Sequence, residues 1–509
     1  MAETDLKFDE QEVCTKLAQE YLRSKMEFHS IGLECEKVDK YEIDQFLKKV
    51  YYVDIKPSEL TDESEISDIS KKFSALADKI KENAQLFCQL EFLLRKIPIN
   101  DTNNVDLKLI TQSLVYKSAF LNSDDITTYN VVPFHKDTPL FQLGLLAYQK
   151  PNLNFIIACS KETVAVCTLF VELCQNVGLE KAVTLAVLSE KDLKEYRNEF
   201  IEDMVGGCVG VVTARCDVDS AVDALLASTT RYPWKLSSVL VQEAAMERFA
   251  RALEWKTRDA AAREVSLVLE PVAGEPRGVP VEAFRSTREA LALLAARAPL
   301  AVAAWASDSA EAHEIALGVP APLVWLNGQC QFDGPPAAAA ALYCISKDDS
   351  TSEVIADVLG ADALEELRCE RAAWLQLAPM TRLERVRAVL QQFHAHSATQ
   401  LDGAVGLRAD SAFAVDSGIC IVRRTPVELA IIDQDYIEQS FLRFLNYLVE
   451  GGVVLISSDR EICRDVKLLS ELLSKANVPV TDSDITSNMT TTMYKTKTIW
   501  ISIGTIFAN

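Results

Sequence analysis

The sequence predicts an α/β protein in which helices cover both faces of a mainly parallel sheet. Three observations carry this. Strands and helices alternate from Asn154 to Asn327. The strands are almost wholly apolar, as in NFIIAC, Val209 to Thr213, Leu300 to Trp305 and LVWLN. Strands covered on both faces read this way, whereas half-exposed ones alternate. Third, two of the helices run out at glycine, Gly178 and Gly318, the residue that best adopts the conformation ending a helix.

Taken in order, the first hundred residues read mostly as helix. TDESEISD looks like an exposed acidic helix start, and Leu76, Ile80, Leu86, Leu90 and Leu93 keep rough helical spacing. Asn154 to Cys159 is a strand, followed by a polar turn, SKE, and the helix TVAVCTLFVELCQNVG. Val209 to Thr213 is the next strand, with a turn at Asp217 and a helix from Asp219. Arg288 to Arg297 reads as helix, Leu300 to Trp305 as strand, Glu311 to Leu317 as helix and Leu323 to Asn327 as strand. Gly334-Pro335-Pro336, followed by five alanines, is the strongest linker candidate.

Composition narrows the function classes. At 509 residues the chain has room for roughly three domains of ~150. With 49% hydrophobic and 25% charged residues, it is not disordered over most of its length. A net charge of -22 repels phosphates, so nucleic acid and anionic membrane are not expected partners. The thirteen cysteines form no C-x-x-C pair and scatter singly from Cys14 to Cys463. That pattern fits a reducing compartment, and a cytoplasmic protein is the expectation. MAETDLKFDE is acidic without an apolar core, unlike a signal peptide. The most apolar run, LALLAARAPLAVAAWA, is interrupted by Arg297 and Pro299.

One internal repeat emerges. IIACSKETVAVCTLFVELCQNVGLE, from Ile156, aligns without gaps to LISSDREICRDVKLLSELLSKANVP, from Leu455. Glu162 falls on Glu461, Leu169 on Leu468, and Glu172-Leu173 on Glu471-Leu472. Each copy reads as strand, polar turn, helix.

These segments resemble the aldehyde dehydrogenase superfamily. Val131-Val132-Pro133-Phe134-His135 is similar to its "I-I-P-W-N", and IIACSKET to its "V-V-L-K-P-S-E-x-T-P". Asp217-Val218-Asp219-Ser220-Ala221-Val222 resembles "D-A-D-L-D-x-A-V" from the second Asp position onward, and Val241-Gln242-Glu243 resembles "V-Q-E". Phe284 to Leu291 resembles "F-x-T-x-x-E-A-L", and Val324-Trp325-Leu326-Asn327 "V-W-x-N". No one match is specific, but all six come in the family's order. Trp374, Pro379 and Arg382 resemble the family's early helix, and 418–480 its first nucleotide-domain strands. YKTKTIWISIG is similar to the end of aldehyde dehydrogenase family 16, whose members hold two tandem units and in part lack the catalytic cysteine.

The resemblance implies Rossmann-type parallel sheets in two truncated tandem units. The expected division is 1–70 an N-terminal helical segment, 71–230 a first nucleotide-domain-like unit, 231–345 a catalytic-domain-like unit, and 346–509 a second unit with a C-terminal strand. It also implies what catalysis would need. A thiolate attacks the aldehyde so that the adduct can pass hydride to nicotinamide. Counting back from Glu243, that cysteine position falls on Pro233, and no cysteine lies between Cys216 and Cys330. The general base of "E-L-G-G" falls on Met204, beside Gly206-Gly207. Asp203 would point to the opposite face of a strand, and Glu202 would sit ~6.6 Å along it. The oxyanion-binding Asn is replaced by His135, which keeps one donor, and the ribose-binding lysine by Cys159. Glu162 is retained, although a glutamate opening a helix is equally explained by the helix dipole. The cofactor loop "G-S-T-x-x-G" should lie between Ala186 and Gly206, where only VLSEKDLKEYRNEFIEDMVG remains. A second excision falls between Glu243 and Glu275.

The expectation is therefore a non-catalytic member acting through protein contacts, with no catalytic, cofactor-binding or metal residues and no bound NAD or NADP. The partner protein is unidentified, and a homodimer stays open because the family pairs subunits through a strand near the chain's end. The alternative is an active oxidoreductase with a displaced nucleophile, Cys208 or Cys216. Of the other constellations, Gly206-Gly207-x-x-Gly210 reads as strand entry rather than a phosphate loop. His394 and His396, two apart on a helix, point to different faces and do not form a metal pair. Trp234 and Trp325 read as core or interface aromatics.

Overall fold

The computed structural model describes residues 16–29, 63–119, 131–148, 155–160, 162–179, 182–187, 193, 207–228, 231–258, 265–269, 278–332, 361–396, 411–415, 418–427, 429–433, 437, 441–457, 464–483 and 493–502. It is an α/β protein with parallel sheets and flanking helices. No helix among these residues is long and apolar enough to cross a membrane.

The N-terminal layer is helical. Helix α1 (Lys16–His29) packs on α3 (Ala84–Arg95), and α2 (Glu63–Glu82) gives way to α3 at Asn83, whose side chain donates back to Lys79 O at 2.8 Å. A short turn, Ile99–Asp101, then opens into a π-helical turn, Thr102–Leu107, that continues as α4 (Lys108–Ala119). One residue too many per turn shifts the helix face, and here it turns Asp106 inward, where it is fully buried.

Two small parallel sheets share one topology. The first joins β1 (Val131–Phe134), β2 (Phe155–Cys159) and β3 (Val183–Val187) in that order. The second joins β12 (Leu429–Asp433), β13 (Val453–Ser457) and β14 (Val480–Ser483), again in order. The two copies of the sequence repeat form the middle strands, β2 and β13, and the helices that follow, α5 (Val164–Asn176) and α13 (Arg464–Lys475). Gly178, with φ +80, closes the first of these helices, so a side chain there would be strained.

Between them lies a nine-stranded sheet of order β10-β11-β15-β9-β8-β4-β5-β7-β6. Its members are β4 (Cys208–Val212), β5 (Leu236–Gln242), β6 (Leu267–Val268), β7 (Val279–Phe284), β8 (Ala301–Trp305), β9 (Leu323–Leu326), β10 (Ser411–Val415), β11 (Gly418–Pro426) and β15 (Tyr494–Ser502). The seven from β15 to β6 run parallel, and the β10–β11 hairpin joins β15 antiparallel. Alternate residues serve opposite faces. Cys208, Val212, Val239 and Val241 face α6 (Val218–Leu226) and α7 (Glu243–Thr257), while Val209, Val211, Leu240 and Val302 face α8 (Thr287–Arg297) and α9 (Ser309–Gly318). Both faces are covered, which is why these strands read as continuous apolar runs. Around the second small sheet, α10 (Ala361–Gln376), α11 (Pro379–His396), α12 (Phe441–Glu450) and α13 build a separate core.

Strands β4 and β5 pair on either side of residue 230, and α2 runs through residue 70. Strand β15, from the expected second unit, pairs with β9 of the expected catalytic unit within the same chain, Trp500 against Trp325. The Gly334-Pro335-Pro336 linker lies outside the described residues.

Candidate functional site

Pro233 sits in the turn that enters β5, closed by Lys235 N–H donating to Tyr232 O at 2.9 Å. Its neighbours on either side are core. Tyr232 and Trp234 stack at 5.1 Å with an interplanar angle of 10°. Trp234 continues the cluster to Phe141 at 5.5 Å and Phe332 at 4.9 Å, and Trp325 and Trp500 extend it to β15. Both Trp234 and Trp325 are buried, as their sequence setting suggested. The Trp325 indole donates to Gln331 O at 2.7 Å, and burial pushes the Cys330 thiol up to about 12. Pro233 itself is half-buried, and a proline side chain offers no nucleophile.

Beside this turn lies a buried polar cluster that sequence reasoning missed. Asp106 Oδ1 accepts from Phe141 N–H at 2.9 Å and Oδ2 from Tyr232 O–H at 3.0 Å. One helix away, Glu91 and Arg95 form a bidentate ion pair at 2.8 and 3.0 Å, with side chains 0% and 1% exposed. Arg95 also donates to Lys136 O at 2.9 Å and to Thr138 O, and its guanidinium lies 5.6 Å over the Phe134 ring. Burial pushes the Glu91 carboxyl up even against Arg95, and it drives Asp106 up to about 7. The signal was present as a Glu-x-x-x-Arg pair inside the apolar run CQLEFLLRK, a pattern that on a solvated face would be ordinary.

His135, which stands where the resemblance expects the oxyanion-binding Asn, is tied into its own loop. Its backbone N–H donates to Thr138 Oγ1 at 3.2 Å, and Asp137 N–H donates to its Nδ1 at 3.3 Å, which puts the ring proton on Nε2. Glu202, Asp203, Met204 and Gly206 lie outside the described residues. Gly207 has φ +57, and a Cβ there would come within 2.6 Å of Lys235 O, so glycine is needed where the chain enters β4.

The end of β2, where the resemblance places ribose contacts, is built as core. Cys159 is fully buried, and so is Cys167 of α5, whose thiol burial pushes well above its usual range. The following turn satisfies itself: Ser160 N–H donates to Phe134 O at 3.0 Å and to Thr163 Oγ1 at 3.1 Å, and Thr163 O–H donates to Phe134 O at 2.7 Å. Glu162 is exposed. Cys159 stands where the resemblance expects a lysine, and the polar atoms of this turn pair with one another.

The two candidate displaced nucleophiles are buried. Cys208 and Cys216 are 0% and 5% exposed, and burial pushes the first thiol well above its usual range and the second up to about 12. A reactive cysteine needs the opposite setting, accessible and cationic. The order in which strands are added to the large sheet reverses between the parallel strands β4 and β8, and open α/β sheets bind ligands outside the strand ends at such a point. Here the mouth is stitched together. Thr213 N–H donates to Trp305 O at 3.0 Å, Ser307 O–H to Arg215 O at 2.6 Å, and Asn327 bridges Ala306 in both directions at 2.9 and 3.1 Å.

The family-like motif residues serve as such stitches. Gln242 of the V-Q-E accepts from Ala214 N–H at 2.6 Å and donates to Arg285 O at 3.2 Å. Asp217 caps α6 through Ser220 N–H at 3.1 Å. Ser286 caps α8, with Glu289 accepting from Arg285 N–H at 2.8 Å, an arrangement close to a capping box. Each cap is worth ~1 kcal/mol without any chemistry.

No group of three or more His, Cys, Asp or Glu among the described residues could hold a metal, and His394 is exposed on α11. A groove of about 480 Å³ lies where α1, α2, α3 and α5 meet, lined by Leu86, Leu169 and Leu173 with Tyr21 donating to Glu172 at 3.0 Å.

No protein-family model matches the chain, and no curated protein does. Solved structures with a partial likeness include aldehyde dehydrogenases. KauB from Pseudomonas aeruginosa superposes with a TM-score of 0.43 at 15% identity, over 52% of this chain and 77% of its own. Betaine aldehyde dehydrogenase from Staphylococcus aureus, in complex with NAD+, gives 0.41 at 17% identity, over 52% and 75%.

Proposed function

We propose that this chain is a non-catalytic member of the aldehyde dehydrogenase superfamily, resembling family 16 in its tandem truncated units, and that it acts through protein contacts. The observation that carries the reading is the residue found where the resemblance expects the nucleophile: half-buried Pro233, flanked in sequence by Tyr232 and Trp234, which stack on each other in the core. The six motifs in family order support the superfamily, and their surviving side chains support the fold rather than a reaction. Two small sheets of one topology, each with a repeat copy at its centre, support the tandem arrangement. Free cysteines, nine of them among the described residues, support a cytoplasmic setting. The net charge of -22 argues for a protein partner rather than nucleic acid or membrane.

The test is a thermal shift with NAD and NADP together with an aldehyde oxidation assay on the pure chain. A ligand at a hundredfold its dissociation constant stabilises by about 2.7 kcal/mol. The expected result is no shift at millimolar cofactor and no turnover. Sustained NAD(P)-dependent oxidation of any aldehyde overturns the proposal.

A further inference from the structure

Arg382, in the first turn of α11, carries its guanidinium into the interior: only 7% of the residue is exposed. Nε and Nη1 are both buried, and neither has a hydrogen-bond acceptor. An arginine cannot escape such a setting by losing its proton, and a buried charge without a counter-charge is costly. Buried donors are met in nearly all proteins by an acceptor, from the chain itself or from something bound to it.

The carbonyls closest to hand are taken by other donors. Arg382 Nη1 reaches the glycine that follows α12, since a Cβ built on Gly451 would lie 3.2 Å from it. At this helix end Leu448 O accepts from the Trp374 indole at 2.7 Å and from Gly451 N–H at 3.1 Å. Tyr447 O accepts from Gly452 N–H at 2.9 Å, and Gly451 O from Arg371 Nε at 3.1 Å. Half-buried Arg371 of α10 thus brings a second guanidinium to the same glycine. Among the described residues no carboxylate forms an ion pair with either arginine, whereas Arg368, one turn earlier on α10, has Glu365 at 3.7 Å. Over Gly451 lies Leu375, whose Cδ2 would be 2.4 Å from the same Cβ and which is 43% exposed.

We propose that Arg371 and Arg382 form a binding site for one small oxyanion, a carboxylate or a phosphate, where the α10–α11 corner meets the end of α12. The ligand enters past the half-exposed Leu375 side chain. A guanidinium fork matches the paired oxygens of either group, and two forks from two helices hold it from two sides. The net charge of -22 repels a polyanion from the chain as a whole, so the occupant is a single small anion. The site is independent of whether the chain catalyses anything.

The full chain is melted in Tris chloride and followed by tryptophan emission, while sodium phosphate or sodium succinate replaces sodium chloride at constant ionic strength. The wild-type melting temperature is expected to rise with oxyanion, and the anion that acts at lower concentration tells phosphate from carboxylate. Arg382→Met removes the unpaired charge. Without oxyanion it is expected to melt above the wild type, and neither anion should then move it. Arg371→Met should need about tenfold more anion for the same rise, the equivalent of one hydrogen bond to a charged group. Arg368→Met removes the same charge from an exposed position and should respond as the wild type does. If Arg382→Met does not fold, Arg371→Met and calorimetric titration of the wild type with phosphate, one site per chain expected, carry the test. A wild type that responds to neither anion beyond chloride, or a response undiminished in Arg382→Met or Arg371→Met, overturns the site. So does a response lost equally in Arg368→Met, or a folded Arg382→Met that melts below the wild type without oxyanion.

Discussion

The Glu91–Arg95 pair invites a double-mutant cycle. Both side chains are out of water, and burial raises the Glu91 carboxyl despite the guanidinium beside it, so desolvation outweighs attraction there. Such a pair adds little net stability, but removing one member strands the other. Glu91→Leu leaves a guanidinium that cannot lose its proton, with only the carbonyls of Lys136 and Thr138 for partners, and should destabilise by about 3–5 kcal/mol. Arg95→Met leaves a carboxyl that can take up a proton, so its cost falls at the lower end, about 3 kcal/mol, and is pH-dependent. A raised carboxyl contributes stability that is lost as pH rises through its folded pKa, so Arg95→Met should lose more at pH 8 than at pH 5. The double variant Glu91→Leu/Arg95→Met removes both charges and should fall short of the summed single costs by roughly 2 kcal/mol. Urea unfolding followed by tryptophan emission measures all four proteins, with equal m-values required of each. Additivity within ~0.5 kcal/mol would refute the claim that the two charges are a desolvated unit.

Other outcomes are as specific. The Asp106 carboxyl, raised from 3.8 to about 7, should make the wild type lose up to roughly 4 kcal/mol relative to Asp106→Asn between pH 4 and 7.5, measured as the difference of their urea midpoints. Thiol reagents should label Cys208 and Cys216 at least ~10²-fold more slowly than exposed Cys369, since buried thiols with raised pKa carry little thiolate; comparable rates would revive a displaced nucleophile. Pro233→Cys should give no measurable NAD-dependent aldehyde oxidation, because one thiol does not rebuild a base or a cofactor loop. Gly452→Ala would place a Cβ about 2.1 Å from the Tyr447 ring, and the melting temperature should drop as for a loss of ~3 kcal/mol.

The α/β alternation was legible because strands such as AVAAW and LVWL are covered on both faces and leave an uninterrupted apolar signature. The repeat was legible for the same reason, and it took matching positions in the two small sheets. Register across the large sheet was not legible. Nothing local in YKTKTIWIS says that it will lie between β9 and β11 rather than beside β14, since pairing is set by which edges remain open after everything else has packed. The polar cluster escaped for a different reason. Asp106 is turned inward by a π-helical turn, and a single added residue in a helix shifts the face without changing composition. That a proline, Pro233, falls where the resemblance expects a nucleophile needed, by contrast, only a count of residues from Glu243.

Strand β15 has a consequence for the order in which the protein can be made. The ribosome delivers Leu323 to Leu326 long before residues 494–502, yet the two must lie side by side for the large sheet to close. Until then β9 stands as an uncharged apolar edge with free amides and carbonyls, the kind of surface that recruits other strands. Newly synthesised chains therefore pass through a stage in which most of the sheet exists and one middle position is vacant. A stop codon just before Tyr494 would leave that vacancy permanent.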